Sequence, residues 1–135
     1  AEKARRLAPT ARLFALDGLL PGAADTFIAT GTAPVLATLE DIAAWKGEAA
    51  RAGTKLPAAI QIDTGLNRLG LSEADAQTLA DDPSLLDGLD LRLVMSHLAC
   101  ADQPHHEKNR TQLALFSSVA LMFWYVIRIF MRMRE

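Results

Sequence analysis

The sequence predicts an α/β fold in which parallel strands alternate with helices. Two observations carry that expectation. Short apolar, partly β-branched runs alternate with helix-period segments four times along the chain. The helical segments also begin at good N-caps and stop at Gly, Pro or Asp-Pro signals.

Taken in order, Ala1 to Ala8 reads as the last turns of a helix, ended by Pro9. Arg12 to Leu16 is a short strand, followed by the turn-rich Asp17-Gly-Leu-Leu-Pro-Gly. Ala23 to Ala29 is a short helix stopped at Thr30-Gly31, and Ala33 to Leu36 is the second strand. Thr38 caps a helix that runs to about Ala52, with Ile42, Trp45 and Ala49 at helical spacing and Gly53 as its stop. Ala58 to Ile62 is the third strand. Glu73 to Ala80 is helical and breaks at Asp81-Asp82-Pro83. Leu91 to Met95 is the fourth strand, and Pro104 opens the last helix. Four strands do not close an eight-stranded barrel by themselves.

The totals bound the function classes. A chain of 135 residues suffices for one ordinary domain. The formal charge of -2 leaves no basic surplus for nucleic acid. The single Cys100 excludes an internal disulfide and a cysteine-rich metal site, and fits a reducing, cytoplasmic setting. Ala-Glu-Lys-Ala-Arg-Arg at the N-terminus is not a signal peptide. It lacks an initiator Met and starts in mid-helix, so the expectation is a piece of a longer chain.

The most informative stretch is Ile60 to Ser72. It opens as a strand and closes at a helix start, where Ser72 and Asp75 are spaced as a capping box. Between them lies a polar loop containing Asp63, Thr64, Gly65, Asn67, Arg68 and Gly70. In α/β folds the C-terminal ends of strands are where ligands bind.

Asp63-Thr-Gly-Leu-Asn-Arg-Leu-Gly70 resembles the Asp-Thr-Gly-Met-x-Arg-Leu/Ile-Gly signature of alanine racemases. Met95-Ser-His-Leu-Ala-Cys-Ala-Asp102 resembles that family's second motif, at a fitting distance. Leu16 to Gly22 and Pro34-Val-Leu36 are similar as well. The resemblance runs from about the N-terminus to Phe116. It implies a partial (β/α)8 TIM-like barrel over 1–116, about the middle half of the family's N-terminal barrel. A half barrel exposes two sheet edges and an apolar sheet face. The isolated chain is therefore expected to be marginal, self-associating or partly molten; a sharp melt of a monodisperse monomer would contradict that.

For function, the resemblance implies interconversion of L- and D-alanine with pyridoxal phosphate, in a cytoplasmic homodimer supplying D-alanine for peptidoglycan precursors. The cofactor is an electron sink for the α-carbanion. Two bases are needed: the lysine that carries the cofactor, and a tyrosine from the partner subunit. Neither maps onto this chain. Lys3, Lys46, Lys55 and Lys108 lie outside the lysine motif, and Tyr125 lies in a stretch that no longer resembles the family. The chain alone is thus expected not to racemise. Another amino-acid racemase of the same fold stays open, because most of the substrate pocket lies elsewhere.

Individual residues have competing readings. Arg68 corresponds to the arginine that contacts the substrate carboxylate and the cofactor phenolic oxygen; its donors suit either. The alternative is a surface loop arginine. His97 corresponds to the histidine packed against the cofactor ring, against the alternative of a hydrogen-bonded rim histidine. Asp63 is read as orienting the loop or Arg68. Its Asp-Thr-Gly triplet also occurs in aspartic proteases, which need a second triplet or a dimer in an all-β setting. Gln61 departs from the family, where many members have a carbamylated lysine that supports the arginine. His105-His106-Glu107 does not read as a metal site, because adjacent helical residues point about 100° apart. Cys100 reads as a small wall residue.

The segment 117–135 is apolar, then basic, and holds half of the chain's aromatics. Its apolar run, Leu113 to Ile127, is shorter than the ~20 residues of a spanning helix, and Arg128, Arg132 and Arg134 flank it. Three readings stay open: a frameshifted tail, a helix packed on the open sheet, and, last in rank, a membrane anchor. The last two lead to the runner-up function, a non-catalytic membrane-associated or interaction protein built on a racemase fragment.

Overall fold

A computed structural model describes residues 1–132, with side chains through residue 125. The elements are α1 (Glu2–Leu7), β1 (Leu13–Ala15), α2 (Ala24–Thr30), β2 (Thr32–Leu36), α3 (Leu39–Ala52), β3 (Leu56–Gln61), α4 (Glu73–Asp81), β4 (Leu89–Met95) and α5 (Glu107–Arg132). A 3-10 turn at Pro83–Leu86 links α4 to β4.

The four strands form one parallel sheet in the order β1-β2-β3-β4. Each crossover lands on the next neighbour and the order never reverses. That is the winding of a barrel rather than of a doubly wound sheet. Among the described residues the fold is therefore α/β with four parallel strands, and β1 and β4 are the edge strands.

Strand alternation splits the sheet into two faces. One face sends Leu36, Ala58 and Ile60 against Ile42, Trp45 and Leu79 of the helices. Trp45 is fully buried, meets Phe27 edge-on at 6.5 Å and donates its Nε1–H to Pro57 O at 3.0 Å. The concave face carries Phe14 beside Ala33, then Val35, Ala59 and Leu93, then Gln61 beside Met95. A bulge between Ala58 and Ala59 sets Arg92 out of the ladder and returns Leu93 and Met95 to this face.

Local chemistry fixes the helix ends. Thr38 Oγ1 accepts from Asp41 N, and Gly53 closes α3 at φ 64°. Ser72 and Asp75 form the reciprocal capping box at α4.

One helix start differs from expectation. Pro104 does not open α5; it lies among turns that precede it. Asn109 Nδ2 donates to Cys100 O and Gln103 O and holds those turns down. His106 Nδ1 accepts from Lys108 N, so His106 caps the helix.

α5 passes Phe116 without a break, and Val119 and Phe123 join the core. The helix packs on α4 and the 3-10 turn. Among the described residues, no helix is long and apolar enough to cross a membrane. The expectation for Arg128, Arg132 and Arg134 lies outside the residues whose side chains are described.

Candidate functional site

The C-terminal ends of β3 and β4 carry two loops locked to each other. The first, residues 62–71, returns to its own strand. Ile62 bridges Leu71, Leu71 N donates to Gln61 O at 2.8 Å, and Asp63 N donates to Leu71 O at 2.9 Å. A compact loop closed this way presents its tip without depending on long-range contacts.

Glycine is required at one of its positions. A Cβ on Gly70 would lie 2.6 Å from Asp63 N, and φ is +125°. Asn67 holds the left-handed region at φ 57°, which asparagine tolerates.

Asp63 orders this loop. Its Oδ1 accepts from Gly65 N at 2.9 Å and from Asn67 N at 3.1 Å. This is an Asx-type turn, and the parallel α/β surroundings do not match an aspartic protease. Gln61 is 6% exposed and donates Nε2–H to Leu69 O at 2.8 Å. A neutral amide at this position therefore anchors the carbonyl next to Arg68.

Arg68 stands exposed on the loop tip. Its side chain enters none of the ion pairs or hydrogen bonds among the described residues. His97, just past β4, also has an exposed ring.

The second loop is tied to the first through buried polar groups. Thr64 Oγ1 and Ser96 Oγ share a hydrogen bond of 2.7 Å. Gln112 of α5, 1% exposed, bridges three points: Nε2 donates to Thr64 Oγ1 at 3.1 Å and to His97 O at 3.0 Å, and Oε1 accepts from Ala99 N at 2.9 Å. A buried amide with these valences filled holds its partners rigidly. The loops of Arg68 and His97 are thereby fastened at one end of the sheet.

The sequence model of the family described as "Alanine racemase, N-terminal domain" matches residues 1–124. The chain belongs to the alanine racemase family. It is 48% identical over 118 residues to the catabolic alanine racemase of Agrobacterium fabrum, covering 87% of this chain and 30% of that one. It is 45% identical over 113 residues to the alanine racemase of Rhodospirillum rubrum, covering 84% and 30%. The chain thus spans about 30% of the curated relatives it matches. Among solved structures, the alanine racemase of Bartonella henselae, with covalently bound pyridoxal phosphate, superposes with a TM-score of 0.78 at 29% identity. It covers 90% of this chain and 36% of that one. A histidine racemase of Leuconostoc mesenteroides superposes with a TM-score of 0.69 at 25% identity, covering 84% and 32%.

Within this racemase segment the structure gathers Gln61, Asp63, Arg68 and His97 at one sheet end. Among the described residues, no His, Cys, Asp and Glu cluster is arranged to hold a metal. Sequence reasoning did not single out Gln112. The signal was there: Gln112 falls in helical phase with Phe116, Val119 and Phe123, a polar residue on the buried stripe.

Proposed function

We propose that this chain is the substrate-carboxylate side of an alanine racemase active site, in a protein that interconverts L- and D-alanine with pyridoxal phosphate. The observation that carries the reading is Arg68, an uncommitted guanidinium on a loop that five backbone and side-chain hydrogen bonds hold rigid. Its donors suit the two oxygens of a carboxylate, or a carboxylate and a phenolate. The exposed ring of His97 suits contact with the flat face of the cofactor. The donor set thus fits pyridoxal phosphate on this side.

When bound, the cofactor supplies the electron sink for the α-carbanion. The residues of this chain orient and bind. Arg68 holds the carboxylate so that the Cα–H bond keeps a fixed direction. Asp63 fixes the turn that presents Arg68. Gln61 fixes Leu69 O beside it. Proton transfer to and from Cα belongs to two bases outside this chain, the lysine and the partner subunit's tyrosine. We place residues 1–116 as the partial barrel domain and 117–135 as a tail that begins by continuing α5 and lends Val119 and Phe123 to the core, in a cytoplasmic, homodimeric parent enzyme.

A chimera tests the reading. Residues 1–116 would replace the matching segment of the Agrobacterium fabrum protein in a D-alanine auxotroph. The chimera is expected to restore growth, and the chain alone is expected not to. A chimera that folds and binds pyridoxal phosphate without racemising alanine would sink the proposal. The histidine racemase neighbour calls for a second assay, on histidine, where activity above that on alanine would reassign the substrate.

A further inference from the structure

The Arg68 and His97 loops leave the sheet side by side, and the strand ladder joins them at their roots. Gln61 pairs with Met95, and Ile62 N donates to Met95 O at 2.8 Å. Past that point the ties between the loops are made by side chains. Thr64 Oγ1 and Ser96 Oγ share one bond. Gln112 reaches in from α5 and joins Thr64 Oγ1, His97 O and Ala99 N.

The orientation of this buried amide is forced. Turned over, its oxygen would face His97 O, acceptor against acceptor, and its N–H would face Ala99 N, donor against donor. The helix also lies close over the first loop: a Cβ built on Gly65 would stand 3.7 Å from Gln112 Cγ and 3.7 Å from Lys108 Cε. Gly65 N and Asn67 N both donate to Asp63 Oδ1. A short path of ties thus runs from Gln112 through Thr64, Gly65 and Asp63 to Asn67, the neighbour of Arg68. On the other side Gln112 holds His97 by that residue's own carbonyl.

We propose that Gln112 is a positioning residue for the reaction: its amide sets the Arg68 guanidinium and the His97 ring relative to each other. The proposal rests on the reading of Arg68 as the carboxylate contact and His97 as the cofactor contact. Arg68 holds the carboxylate and His97 borders the flat ring. The angle between the Cα–H bond and the plane of that ring is then a property of the pair. Loosening the amide leaves each group able to reach its own ligand but not in register with the other. The rate suffers more than binding, because a misplacement of about 1 Å can cost roughly 100-fold in rate.

The chimera carrying residues 1–116, loaded with pyridoxal phosphate, tests this. Gln112→Met keeps the length of the side chain and removes its three polar ties. Per bound cofactor, kcat on alanine is expected to fall about 10- to 100-fold. KM should stay within about threefold of the parent's, because Arg68 still reaches the carboxylate. The visible circular dichroism of the bound cofactor, which reports the surroundings of its ring, should change. The affinity for propanoate, alanine without its amino group, should hold within about threefold. Thr64→Val removes one arm alone and carries the same test where Gln112→Met leaves too little folded protein. Its loss should exceed that of Thr64→Ser, which keeps the hydroxyl, and should add little to Gln112→Met, since both break one tie.

A residue that only stabilised the fold would lower the loaded fraction and leave kcat per bound cofactor and the dichroism as they were. That result would overturn the proposal. So would a loss carried wholly by KM, equal losses in Thr64→Val and Thr64→Ser, or full additivity in the double variant. A parent chimera that binds the cofactor without racemising alanine counts against the proposed activity alone. Dichroism and propanoate binding are read without turnover and still decide the role of Gln112.

Discussion

Two arginines at opposite ends of the sheet show where this molecule keeps its unspent chemistry. Arg5 lies near the strands' N-terminal ends. Its Nε donates to Thr30 O at 2.7 Å, and its Nη1 donates to Pro9 O at 2.9 Å and Ala11 O at 2.8 Å. The guanidinium staples α1 and the following turn to the end of α2. Arg68, at the C-terminal ends, has as many donors and uses none of them on the described residues. The loop around it is nonetheless the more heavily tied of the two regions. One arginine is consumed by the fold; the other is held out by it. A side chain kept free on a rigid platform is what a ligand site needs.

The sharpest way to break this contrast is to loosen the platform. Gly70→Ala should have the largest effect, because the added methyl meets Asp63 N and Ile62 C of the backbone at under 3.0 Å. Neither atom belongs to a side chain that could rotate away. A loss of about 3 kcal/mol or more is expected from combined clash and left-handed strain. A urea midpoint unchanged from the parent would refute the close approach.

Gln112→Leu comes next. It keeps volume but strips three partners, Thr64, His97 and Ala99, of their common contact. The expected cost is about 2–3 kcal/mol, from buried groups left without partners. Amide exchange should quicken in residues 63–70 and 96–99 before it quickens in β2. Uniform quickening would mean that Gln112 supports the fold at large and not the two loops.

Arg5→Ala should cost less, about 1–2 kcal/mol, since its bonds are partly exposed. It should leave exchange in residues 63–70 unchanged. Coupling between the two ends would break the division drawn here.

Much of this contrast was legible in the sequence, for identifiable reasons. The capping box at Ser72 and Asp75 and the stop at Gly53 are local, so their patterns survive without tertiary knowledge. The Asp63 to Gly70 loop carried a family signature as well as turn chemistry. Pro104 misled because proline at a helix start is a tendency. Here Asn109 and His106 gather the preceding residues into turns first. The role of Gln112 is non-local: its partners lie 13, 15 and 48 residues away. Periodicity could mark it as a buried polar residue but could not name what it joins. Likewise nothing local marks Arg5 as spent on carbonyls and Arg68 as free, because the carbonyls of Thr30, Pro9 and Ala11 are brought to Arg5 only by the fold.

The smallest effect on stability should come from Arg68→Ala, within about 0.5 kcal/mol, as for an exposed side chain without partners. The same change should have a large effect on function. Introduced into the racemase chimera, it removes the loop-tip guanidinium, which enters no ion pair or hydrogen bond among the described residues. Loss of a charge-assisted bond to a carboxylate is worth about 1.5–3 kcal/mol, or roughly a 10- to 150-fold fall in kcat/KM on alanine. Arg68→Lys separates charge from geometry. A lysine keeps the charge but not the paired, planar donors, so partial recovery points to simple attraction and none points to bidentate alignment. If Arg68→Ala instead destabilised the chain as much as Arg5→Ala, the arginine would have a structural partner after all. The difference between the two ends of the sheet would then be one of degree.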